Sequence, residues 1–179
     1  MQSTLARQIA SLSLLAVWIG CVGCANYTVG TRALFRPDVT SVHVPAVQNE
    51  TFRHDLGGQL HEAVVREIQL RTPYRVTGNP GADTVLSCRI NFESKNVLTE
   101  TASDDPRALD TVVSVQTTWL NRNGEMLMQN RLLPDAAALQ LSDTSQFVPE
   151  AGGSIGAANA DAMAKIASRI VDQMEMRPF

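Results

Sequence analysis

Few side chains in this 179-residue chain have both the type and the spacing for chemistry. Gly152-Gly153-Ser154-Ile155-Gly156 fits G-x-S-x-G, the pattern that sets a serine nucleophile on a sharp strand-to-helix turn. The stretch before it, Gln146 to Ala151, carries Pro149-Glu150 instead of strand formers. All three histidines, His43, His54 and His61, precede the serine, whereas the hydrolase order needs one after it. Ser154 therefore reads as a helix N-cap, whose hydroxyl accepts from a free backbone N–H. His54 and His61 share a helical face two turns apart, roughly 11 Å. Two side chains so placed cannot both reach one ion at about 2 Å, so no metal site is expected. His43 has no partner in the pattern. Asp104-Asp105 reads as a solvated loop tip. Cys88, flanked on its strand face by Leu86 and Ile90, reads as a buried structural thiol. Gly57-Gly58 lacks the spacing of a phosphate-binding loop. No nucleophile, base and oxyanion donor assemble, and neither catalysis nor a cofactor is expected.

The cysteines near the start point to a different chemistry. Residues 1–10 carry one basic side chain, Arg7, and residues 12–19 are almost entirely apolar. That run is too short for a permanent bilayer span and fits the core of a signal peptide. It ends in Gly20-Cys21-Val22-Gly23-Cys24, a small residue before a cysteine, which resembles a bacterial lipobox. There the thiol is diacylated and the signal is cut just before it. Cys24 is the preferred acceptor, because the polar stretch begins at Ala25-Asn26-Tyr27; Cys21 is the alternative. Residues 1–23 are then a signal peptide and 24–179 a single domain. Acyl chains on one cysteine anchor a protein to a membrane. By the general sorting rule for lipoproteins, the absence of Asp at position 25 points to the periplasmic face of the outer membrane.

Composition narrows the classes further. There are 15 basic and 18 acidic side chains, with no basic block, so a nucleic-acid partner is not expected. Loss of Arg7 with the signal leaves 14 basic against 18 acidic, a net −4. An anionic domain is not drawn to anionic lipid by charge. Membrane contact should come from the anchor and a protein partner.

Periodicity gives the elements. Ser41 to Val47 reads as a strand with Val42, Val44 and Ala46 on one face and Pro45 marking an edge or bulge. Asp55 to Arg71 reads as a helix burying Leu56, Leu60, Ala63, Val64 and Ile68, stopped by Thr72-Pro73. Tyr74 to Thr77 is a short strand. In the strand Asp83 to Lys95, Thr84, Leu86, Cys88, Ile90 and Phe92 face inward, and Arg89 and Lys95 lie on the wet face. Residues 99–107 form a loop, and Thr111 to Leu120 the next strand. Asn123-Gly124 predicts a two-residue hairpin that pairs Arg122 with Glu125, Trp119 with Met128 and Val115 with Leu132. Residues 134–153 read as irregular, and Ile155 to Met174 as a second helix. This order predicts an α+β two-layer sandwich: a mixed or antiparallel sheet of four to five strands, with two helices on one face.

Several segments also resemble the LPS-assembly lipoprotein family LptE. Gly23-Cys24 with Tyr27 is similar to its cysteine-tyrosine start, with Asn26 intervening. Val42 to Phe52 resembles its V-x-V-P-x-x-x-N-x-[ST]-[FY] segment, and Leu60 to Ile68 its first helix. Thr72-Pro73-Tyr74-Arg75-Val76 and Ala82-Asp83-Thr84-Val85-Leu86 resemble T-P-Y-[KR]-V and A-D-[AS]-V-L; Ile166 to Glu175 resembles the C-terminal helix. Cys88 departs from a frequent glycine. The resemblance implies a non-catalytic plug within the outer-membrane β-barrel LptD, aiding its assembly and contacting lipopolysaccharide. Arg89, Lys95 and Arg122 are the candidate polar contacts to that ligand. The alternative is a periplasmic lipoprotein that activates or pilots another envelope machine, a cell-wall synthase or a secretin.

Overall fold

The computed structural model describes residues 34–100, 106–128 and 138–176. The lipobox, Asp104-Asp105 and Leu132 lie outside the described residues. The elements are β1 (Ser41–His43), β2 (Gln48–Asn49), α1 (Asp55–Arg71), β3 (Arg75–Thr77), β4 (Thr84–Glu100), β5 (Pro106–Asn121), β6 (Leu139–Phe147) and α2 (Ile155–Met174), with a short 3₁₀ turn at Pro149–Ala151. They form a mixed open sheet in the order β3-β1-β4-β5-β6, with β2 also paired to β4, and two helices packed against it. The expected α+β architecture is thus the observed one, with six strands.

Both helices match their predicted bounds and faces. In α1, Leu56, Leu60, Ala63, Val64 and Ile68 are buried. In α2, Ala158, Ala162, Met163, Ile166, Ala167, Ile170 and Met174 are buried. They close one core with Val42, Leu86, Ile90, Val115 and Trp119 of the sheet. Each large side chain so buried contributes about 1.5–3 kcal/mol. Arg71, in the last turn of α1, donates to the carbonyl (3.3 Å) and hydroxyl (2.9 Å) of Ser168 and pairs with Asp172 and Glu175. The C-terminal ends of the helices are therefore pinned together.

Four sequence expectations are corrected. The first strand breaks at Pro45, which has no N–H to donate. β1 pairs with β3 and β4, so it is interior and not an edge. Pairing resumes at β2, and Ala46 is exposed while Val47 packs against the core. Second, a bulge at Asn91 lets Ile90 oppose Val115 and Phe92 oppose Ser114. An extra residue flips every side chain that follows it. Phe92 turns outward at 53% exposure, and Lys95, opposite fully buried Thr111, joins the helix-bearing face and not the wet one. Third, the turn at Asn123-Gly124 is not a two-residue loop. Leu120 bridges Met126, and the Asn121 amide donates to the Glu125 carbonyl (2.9 Å). This leaves a three-residue loop with Gly124 at φ +79°, and a register one residue from that expected. Trp119 accordingly faces Leu127, accepting its amide at 2.8 Å, while Val115 pairs with Leu141.

The fourth correction is β6, a strand where irregular chain was expected. Its inward positions are Leu139, Asp143 and Ser145, with Leu141 and Phe147 half-buried. Two polar residues at inward positions concealed its alternation. Their partners come from α2: Arg169 pairs with Asp143 at 2.8 Å, and Asp161 accepts from Ser145 and pairs with Lys165 at 2.6 Å.

Candidate functional site

The residues proposed from sequence do not form one cluster. Arg89 lies exposed on the outer sheet face opposite Gln116 and pairs with Glu50 at 3.2 Å. It lines an open groove of about 310 Å³ with Gln48, Ser87, Gln116 and Thr118, beside the Pro45 break. Hydroxyls, amides and one guanidinium suit hydrogen bonding to a polar or anionic group. Lys95 is on the opposite face. Arg122 is spent on the fold: it donates to the carbonyls of Ala82 (3.1 Å) and Gly81 (2.9 Å) and pairs with Asp83 at 3.0 Å.

Asp83 gathers hydrogen bonds from the start of β1. One of its oxygens accepts from the Thr40 amide (3.1 Å) and hydroxyl, and from the Ser41 amide (3.0 Å) and hydroxyl (2.9 Å). The Thr40 and Ser41 hydroxyls, then the amides, favour the charged form and hold its pKa down at about 2. Sequence reading placed Ala82-Asp83 in a motif and missed this role. The signal was present in Thr40-Ser41, whose hydroxyls precede a strand.

The catalytic candidates resolve into structural roles. The Ser154 hydroxyl accepts from the Ala157 amide at 3.2 Å, capping α2. The segment before it is the 3₁₀ turn, not a strand. Gly152 takes φ +81°, and a Cβ on Gly153 would stand 2.8 Å from the Val148 carbonyl oxygen. Gly152 and Gly153 thus serve a tight turn. Cys88 is buried, and burial pushes its thiol up to about 11, against a weaker opposing contact from the Thr117 hydroxyl. A thiol held protonated is a poor nucleophile. His43 Nδ1 lies 2.9 Å from the Thr77 carbonyl oxygen. Among the described residues no group of three or more His, Cys, Asp or Glu could hold a metal ion, and no helix is long and apolar enough to cross a membrane.

A family described as LptE: Lipopolysaccharide-assembly has a sequence model that matches residues 39–177. No curated protein sequence matches the chain. Among solved structures, the uncharacterized lipoprotein B of Nitrosomonas europaea is similar with a TM-score of 0.53 at 13% identity, over 83% of this chain and 89% of that one. The rare lipoprotein B of Shewanella oneidensis gives 0.45 at 10%, over 75% and 93%. PelC of Paraburkholderia phytofirmans, a dodecamer, gives 0.47 at 17%, over 82% and 93%. At 13% identity the likeness to the Nitrosomonas europaea structure is one of fold alone.

Proposed function

The chain belongs to the LptE lipopolysaccharide-assembly family, and from that premise we propose that it is an outer-membrane lipoprotein that plugs and helps assemble the LptD β-barrel. The family match over residues 39–177 carries this reading. The match to an assembly family supports a scaffolding role and not a catalytic one. In this reading Cys24, or else Cys21, carries the acyl chains that hold the domain on the periplasmic face. The Arg89 groove is the contact for lipopolysaccharide, its guanidinium offered to the anionic part of the lipid. Lys95 and Arg122 drop out of that contact on geometric grounds, one by face and the other by its bonds to Gly81, Ala82 and Asp83.

The test is a detergent pull-down of the lipidated protein from envelope membranes, with mass spectrometry of what it retains. A large outer-membrane β-barrel recovered near one to one is the expected result. Recovery of a cell-wall synthase or a secretin without a barrel would overturn the reading in favour of an activator or pilot.

A further inference from the structure

Pro45 leaves a gap in the sheet. The ladder to β4 stops at His43 opposite Val85 and resumes at Gln48 opposite Arg89. Between them four residues, Val44 to Val47, face three, Leu86 to Cys88. The groove of about 310 Å³ opens there, a volume at the small end of the range for small-molecule sites. Its wall carries side chains that the fold does not use. Gln48, Ser87, Gln116 and Thr118 have no hydrogen-bond partner among the described residues, whereas the hydroxyls of Ser41, Thr111 and Ser145 are all engaged within the domain. Each of these four free groups can both donate and accept. Arg89 adds a cation. Glu50 takes one of its five N–H donors, at 3.2 Å, and the others remain for a ligand. Phe92 stands next along the same face. The pair Phe92–Ser114 follows Arg89–Gln116 on the outside of the sheet, and the bulge leaves its ring 53% exposed.

We propose that this groove is a carbohydrate subsite, which holds an acidic sugar of the lipopolysaccharide and not its acyl chains. The subsite rests on the lipopolysaccharide reading above and states which part of that lipid is held. A sugar hydroxyl donates and accepts at once, as the Gln, Ser and Thr groups do. The C–H face of a sugar ring packs on an aromatic ring such as Phe92. A phosphate or carboxylate substituent meets the free donors of Arg89. Other occupants fit less well. An acyl chain needs an apolar wall, and the aliphatic side chains on this groove are those of Pro45 and Ala46, Cys88 being buried in the core. A peptide strand needs a free sheet edge, and here β1 and β2 close the gap at both ends. A bare phosphate would use Arg89 and leave the four neutral groups unpaired.

The experiment titrates the full lipidated chain, in detergent micelles, with three probes and reads binding by saturation-transfer NMR. The probes are intact lipopolysaccharide from its own cells, the lipid-free oligosaccharide that mild acid releases from it, and a disaccharide fragment of the cell wall. Wild type should bind the oligosaccharide. Gln116→Ala with Thr118→Val should weaken that binding roughly ten-fold, about one lost hydrogen bond at each position, with the melting temperature unchanged. Gln116 is exposed, so Gln116→Ala alone carries the test if the pair folds poorly. Arg89→Ala should weaken binding as well and reduce its dependence on salt. If the intact lipid binds and the oligosaccharide does not, or if the Gln116 variants bind as wild type does, the carbohydrate subsite is overturned and the lipopolysaccharide reading stands. If the cell-wall fragment alone binds, and the Gln116 variants lose it, the subsite stands and the lipopolysaccharide reading fails. If no probe binds, both fail.

Discussion

Asp83, just before β4, joins the start of β1 through Thr40 and Ser41 to the turn after β5 through Arg122 with one carboxylate. Its folded pKa of about 2 lies below the ordinary 3.8, so the folded state binds its proton less readily than the unfolded chain. The stabilisation is therefore complete above about pH 4 and is lost as pH falls through about 2. Urea unfolding of wild type and Asp83→Asn between pH 7 and 2 should show a gap in stability that narrows below about pH 4 and closes near pH 2. A gap independent of pH would mean that the carboxylate's charge contributes nothing. Arg122 teaches a related point. Its type suggested a ligand contact, but the turn puts its guanidinium against two backbone carbonyls and Asp83. Residue type sets what a side chain can bind; the fold decides whether it is still free to do so.

At the scale of elements, β6 and α2 are joined by charge as well as by apolar contact. The Asp143 side chain is 5% exposed, and Arg169, half exposed, pairs with it and also donates to the Ser142 carbonyl at 2.8 Å. That second bond occupies a carbonyl on an edge strand, where unpaired backbone invites wrong pairing. Removing Arg169 leaves a buried carboxylate without its cation, a loss of about 1–3 kcal/mol. Arg169→Ala should therefore destabilise more than Asp143→Val, which removes the charge and restores an apolar inward position; urea titration of both measures the difference. Equal losses would show that the pair acts as an ordinary surface ion pair.

For the whole molecule, one continuous core runs from Phe35 through the sheet and both helices to Met174. Such a core predicts cooperative unfolding. Trp119, 1% exposed, is the only tryptophan in residues 24–179, so its fluorescence reports the core while far-UV circular dichroism reports the helices. The two urea transitions should coincide; a separation would divide the domain into independent units. The sequence by itself determined the two helices, their buried faces and the α+β class, because helical periodicity is local and every turn repeats the signal; ordered short motifs carried the family. It also held the cap at Ser154 and the buried thiol at Cys88. Only the tertiary structure decided the faces of Phe92 and Lys95, the register after Asn121 and the existence of β6. The first and last depend on partners distant in sequence, β5 opposite the bulge and α2 over Asp143, whereas the register rests on how a three-residue loop closes between Asn121 and Glu125. A strand's pattern has a period of two residues, so one inserted residue, or one buried charge answered from another element, erases it.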